Sequence, residues 1–114
     1  MTEPQHPQTR AIRAGRVHND TALAPVLWAS STFVAEGVEE AHRLATDITA
    51  PKFYGRHANP TVDDFQHAMA DLEGAEAARA FASGMGAVSA VVLGLCSSGD
   101  HIVAQRQLYS HTQL

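Results

Sequence analysis

Ser83, Gly84, Met85 and Gly86 leave a short apolar run and open a long apolar segment. A helix that starts on such a turn presents unpaired backbone N–H groups and the positive end of its dipole, and the glycines let an anion approach the backbone. The chemistry on offer is phosphate binding. The same glycines would equally serve to turn a strand tightly into a helix. Tyr54 and Arg56 stand two residues apart in a loop, so in an extended segment their side chains project to one side. Hydroxyl and guanidinium both hold phosphate oxygens, the guanidinium bidentately. Taken alone, a tyrosine and an arginine in a solvated loop are ordinary surface residues.

Other chemistries are poorly served. Lys52 is the only lysine, so any amine chemistry within these residues must use a side chain in the same loop as Tyr54. A solvated loop lysine is a weak candidate for covalent catalysis. The seven histidines, His6, His18, His42, His57, His67, His101 and His111, are scattered without the i, i+4 spacing of zinc enzymes, and no metal site is expected. Phe81 stands two residues before Ser83, where a nucleophile elbow needs glycine. Gly84, Gly86 and Ser89 approximate a dinucleotide fingerprint, but the third glycine is missing, and Ile102 to Arg106 include no acidic residue for the ribose.

Placing these residues requires elements. The prolines Pro4, Pro7 and Pro25 and the lack of periodicity predict an extended arm to about Ala35. Val38, Ala41, Leu44, Ala45 and Ile48 form one helical stripe, closed by Pro51. Asn59 and Pro60 read as N-cap and first residue of a helix from Pro60 to Glu73, with Gly74 just past its end. Ala77 to Ala82 reads as a buried strand, the segment from Gly84 to about Cys96 as a helix packed between layers, and Ile102 to Ala104 as a second strand. A further helix start is expected near Gln107. A strand, helix, strand unit of this kind predicts a parallel sheet in an α/β fold, and two strands do not complete one.

The composition sets the class. At 114 residues there is room for one core, and 45% hydrophobic against 18% charged residues is a globular balance. The net charge of -4, with no basic cluster, disfavours nucleic acid and anionic membranes as partners. The single cysteine, Cys96, reads as a buried small hydrophobe in a reducing, cytoplasmic setting. No secretory leader or membrane span is expected.

The string Tyr54, Gly55, Arg56, His57, Ala58, Asn59, Pro60, Thr61 resembles the Tyr-x-Arg-x-x-Asn-Pro-Thr signature of the Cys/Met metabolism family of pyridoxal-phosphate enzymes. Leu72 to Gly74, Ser83 to Met85, Gly99 to His101, and Leu108 with Tyr109 follow in the family's order, and Thr9 to Ile12, Gly15 and Ser31 to Phe33 resemble its N-terminal arm. The resemblance spans Thr9 to about Thr112 and includes cystathionine γ-synthase, cystathionine γ-lyase, methionine γ-lyase and the O-acylhomoserine sulfhydrylases.

It implies pyridoxal 5′-phosphate as cofactor, with Ser83, Gly84 and Met85 at its phosphate and Tyr109 stacked on its ring and acting as an acid toward the leaving group. It implies that Tyr54 and Arg56 reach the phosphate of a neighbouring subunit, in a homotetramer of site-sharing dimers that acts on an amino-acid substrate by γ-elimination or γ-replacement. It places the cofactor-bonding lysine downstream. Residues 1–58 would then be an N-terminal arm and helix, and residues 59–114 the incomplete opening of a fold-type I (aspartate-aminotransferase-like) domain, inactive alone. Ser110 and His111 stand where the family commonly has glycines. The alternatives are a small nucleotide- or anion-binding α/β module built on the Ser83 to Gly86 turn, and a non-catalytic homologue that pairs with other chains.

Overall fold

The computed structural model describes residues 5–113. Pro4, the earlier residues of the arm, and Leu114 lie outside them. The chain divides into two compact units, one up to Arg79 and one from Ala80 onward.

The first unit is organised on one helix. Helix α1 (Pro7–Arg13) lies within the predicted extended arm, a correction to that reading. Its start is local: the His6 imidazole accepts from Gln8 N–H, and Pro7 sits in the first turn, where its missing N–H costs nothing. Helix α2 (Val38–Thr46) follows, with Glu39 and Glu40 at its positive end. Helix α3 (Pro60–Glu73) runs between the two residues that the sequence assigns to its ends. Asn59 Oδ1 caps Thr61 N–H at 2.9 Å, and Gly74 closes the helix in the left-handed region at φ 66°.

The arm packs along α3. Gly15, at φ 67°, lies so close to α3 that a β-carbon there would collide with the Asp64 carbonyl oxygen. Arg10 Nε donates to Asp71 at 3.1 Å, and His18 N–H donates to Asp64 Oδ1 at 3.2 Å. Pro60, Asp64 and Ala70 of α3 are buried, together with Asn19 and Ala50.

The second unit holds α4 (Gly84–Leu95), a turn at Ser97 to Asp100, and a single 3₁₀ turn, Ser110–Thr112, in place of the helix expected near Gln107. Gly99 takes φ 100° in the first turn, where Ser97 N–H donates to the Asp100 carboxylate at 2.7 Å.

The predicted α/β architecture does not appear among the described residues. Their regular elements are helices, and the β pairing among them is the isolated antiparallel bridge between Thr32 and Tyr54. Ala77 to Ala82 and Ile102 to Ala104 run without a ladder. An apolar extended run becomes a strand when neighbouring backbone takes up its polar groups, and parallel neighbours come from distant sequence. Cys96 is half-buried rather than fully buried, and Leu93 and Leu95 of α4 are exposed. Among the described residues no helix is long and apolar enough to cross a membrane.

Candidate functional site

The singled-out residues fall into two groups, one in each unit. In the second unit, Ser83 is the N-cap of α4, and its hydroxyl accepts from Gly86 N–H at 3.0 Å. That hydrogen bond ties back the third N–H of the helix. The N–H groups of Gly84 and Met85 precede the first intrahelical bond, which Ala87 makes to the Ser83 carbonyl at 3.1 Å, and they have no acceptor among the described residues.

These groups open on a hollow of about 460 Å³ lined by Ser83, Gly84, Met85, Val88, Tyr109 and Thr112. Four of the sequence-predicted residues therefore share one cavity wall. Val88 and Thr112 were not anticipated. Val88 sits one helical turn beyond Gly84, so spacing could have identified it, whereas Thr112 arrives through the 3₁₀ turn and donates its hydroxyl to Met85 Sδ at 3.4 Å. Tyr109 stacks on His111, with ring centroids 5.1 Å apart and planes 28° from parallel. His111 thus covers one face of the tyrosine ring.

The donor set suits a phosphorylated aromatic cofactor. Two free N–H groups at a helix start favour a dianion through both hydrogen bonding and the dipole, and a tyrosine face beside them suits a planar ring.

In the first unit, Tyr54 and Arg56 are brought together. The guanidinium carbon lies 4.9 Å from the centroid of the Tyr54 ring, while the His57 ring meets that tyrosine edge-on at 5.7 Å. Arg56 is exposed and Tyr54 half-buried. The pairing arises through a turn rather than through an extended segment, since His57 N–H and Ala58 N–H both donate to the Tyr54 carbonyl, at 2.9 and 3.2 Å. Lys52 is an exposed residue whose ammonium sits 4.2 Å over the Trp28 ring.

One polar group escaped the sequence reading. His18 Nε2 lies 2.8 Å from Asp63 Oδ2, and His67 Nδ1 lies 3.6 Å from the same oxygen and 2.9 Å from the Asp63 carbonyl. His67 follows Asp63 by four residues on α3, a helical neighbour that spacing could have revealed. His18 comes from the arm with no local signal. Among the described residues no cluster of three or more His, Cys, Asp or Glu side chains could hold a metal ion.

These two groups hold the residues that carry the resemblance to pyridoxal-phosphate enzymes. The family model described as Cys/Met metabolism PLP-dependent enzyme matches residues 8–114, and the chain belongs to that family. It is 40% identical over 106 residues to an O-succinylhomoserine sulfhydrylase of Pseudomonas aeruginosa, covering 91% of this chain and 26% of that protein. A methionine gamma-lyase of Arabidopsis thaliana is 44% identical over 88 residues, covering 74% of this chain and 20% of that protein. An O-acetyl-L-homoserine sulfhydrylase of Corynebacterium glutamicum is 38% identical over 109 residues, covering 93% and 25%. The chain thus spans about a quarter of the length of the curated relatives it matches. No solved structure matches it significantly.

Proposed function

We propose that these residues form the phosphate grip and ring wall of a pyridoxal 5′-phosphate site in a cytoplasmic transsulfuration enzyme acting on a sulfur amino acid or an O-acylhomoserine by γ-elimination or γ-replacement. The supporting observation is the hollow at the start of α4, where two unpaired N–H groups and Tyr109 share one cavity. The bound cofactor would supply an electron sink for carbanion chemistry.

The protein's own part follows from its groups. Gly84 and Met85 N–H donate to phosphate oxygens, and Ser83, by holding Gly86 N–H, keeps the first turn wound with those two donors aimed outward. Tyr109 stacks against the cofactor ring with the face that His111 leaves open, and its hydroxyl delivers a proton to the leaving group. Tyr54 and Arg56 serve the phosphate held by a neighbouring copy, which makes the working unit a dimer with shared sites within a tetramer. In this reading residues 1–58 are the arm toward that neighbour and residues 59–114 open the cofactor-binding domain of fold-type I. Lys52, occupied over Trp28, is not the cofactor-bonding amine, so the 114 residues alone bind without turnover.

Titration of the ¹⁵N-labelled chain with pyridoxal phosphate tests this directly. The Gly84 and Met85 amides shift together with the Tyr109 ring, a dinucleotide leaves them in place, and Gly84→Pro, which removes one donor where a helix tolerates proline, weakens binding about fivefold or more. Unmoved Gly84 and Met85 amides at saturating cofactor would refute the assignment.

A further inference from the structure

Asn59, Pro60 and Thr61 belong to the signature string, yet none of them lines the hollow. Their contacts point elsewhere. Asn59 Nδ2 donates to the Trp28 carbonyl at 3.0 Å and to the Ser30 carbonyl at 3.3 Å. The Thr61 hydroxyl accepts from Trp28 N–H at 2.8 Å and donates to the Val26 carbonyl at 3.2 Å. Two side chains therefore satisfy four backbone groups of a segment that has no sheet of its own.

That segment continues directly to the grip. Gly55 N–H donates to the Ser31 carbonyl at 2.8 Å, and Phe33 N–H donates to the Phe53 carbonyl at 3.2 Å, flanking the Thr32 to Tyr54 bridge. Gly55 lies against this segment, and a β-carbon at that position would make ordinary contact with Ser31 backbone atoms at 3.4 Å. The loop then returns through the His57 and Ala58 bonds to Asn59, whose Oδ1 caps α3 at Thr61 N–H, with Pro60 fully buried beside it. The hydrogen bonds close a ring from the start of α3, through residues 26–33 and the loop carrying Tyr54 and Arg56, back to the start of α3.

We propose that Asn59 and Thr61 are positioning residues for the Tyr54 and Arg56 grip, acting through residues 26–33. This rests on the reading that Tyr54 and Arg56 hold a phosphate. An exposed arginine on a loop pays conformational entropy to bind an anion, and a loop already closed into a ring has less left to lose.

The two roles of Asn59 can be separated. Asn59→Asp keeps an equally good N-cap but has no donor for Trp28 and Ser30, so α3 persists while the clasp opens. Thr61→Val removes the hydroxyl without adding charge, and Thr61→Ser restores it. The readouts, on the intact 114-residue chain, are amide exchange at Gly55 and Phe33, and the Arg56 side-chain N–H shift during titration with inorganic phosphate. Asn59→Asp and Thr61→Val are expected to speed exchange at both amides about tenfold and to weaken phosphate about fivefold, with Thr61→Ser close to the parent and α3 amides unchanged.

Unchanged protection at Gly55 and Phe33 in both variants would overturn the clasp. So would undiminished phosphate binding in Thr61→Val once those amides are freed. If Arg56→Ala in the parent background binds phosphate normally, the grip itself is wrong, and that failure is visible separately from the clasp.

Discussion

Helices α3 and α4 are of similar length, and each begins on a capping side chain, yet they sit in opposite circumstances. α3 is amphipathic and gathers contacts from far along the chain: Asp64 receives His18 N–H, Asp71 receives Arg10, and Thr61 and Asn59 hold residues 26–30. α4 is apolar nearly all round, has no buried residue and leaves Val91, Leu93 and Leu95 exposed. A helix that is hydrophobic on every side ordinarily lies within a core. The difference shows where order originates in each case. α3 is held by several long-range polar and backbone contacts within its own unit, whereas α4 has its cap, its internal hydrogen bonds and the contact of Met85 with Thr112.

Glycine substitution gives the sharpest contrast, because one change should have opposite signs in the two units. Gly15→Ala forces a β-carbon against the Asp64 carbonyl at positive φ, and a loss of about 2–4 kcal/mol is expected, read as a lower denaturation midpoint with α3 amides exchanging faster. An unaltered midpoint would break the picture of an arm seated directly on α3. Ser83→Ala removes the cap of α4 at a cost of about 1 kcal/mol, expected as about fivefold faster exchange at Gly86 and Ala87 with α3 amides unaffected. Gly94→Ala, with nothing within 4 Å of its added methyl, should stabilise α4 by about 0.5–1 kcal/mol, seen as slower amide exchange along its last turns.

The smallest effect lies just after α2. Hydrogen bonds from the Thr49 hydroxyl and then its N–H, at 2.6 and 2.9 Å, hold the Asp47 carboxyl below the 3.8 of an unperturbed aspartate, with Arg43 assisting. A folded value below the unfolded one contributes stability above pH 3.8 that is lost as pH falls through the folded value. A carboxyl titration followed by NMR should therefore place the Asp47 midpoint below 3.8, and Thr49→Ala should return it toward that value.

What could be read beforehand follows the same divide between local and distant information. α3 was legible to its ends because Asn59, Pro60 and Gly74 act within a turn of where they stand. The hollow was legible in part for a similar reason, since Ser83, Gly84 and Met85 are consecutive, whereas Tyr109 entered through the family resemblance and Val88 and Thr112 were not read. α1 was missed because its start depends on a histidine acting as a cap, an unusual role, and because it buries no side chain that would have left a stripe. The clasp was illegible for a deeper reason. Its acceptors at Val26, Trp28 and Ser30 are main-chain carbonyls, which carry no mark of residue type, and its donors lie about thirty residues away. The two expected strands fail on the same ground, since a strand is a relation between segments and only one member could be read.

Trp28 stands where the clasp meets Lys52, and it is the only indole in the chain. Its ring lies under a cation, its centroid 6.0 Å from that of Phe33, while its main chain is held by Thr61 and Asn59. Indole emission, excited beyond the absorption of the two tyrosines, therefore comes from one fluorophore seated at the junction of arm, loop and helix, and its colour and intensity offer a built-in gauge of whether that junction is shut.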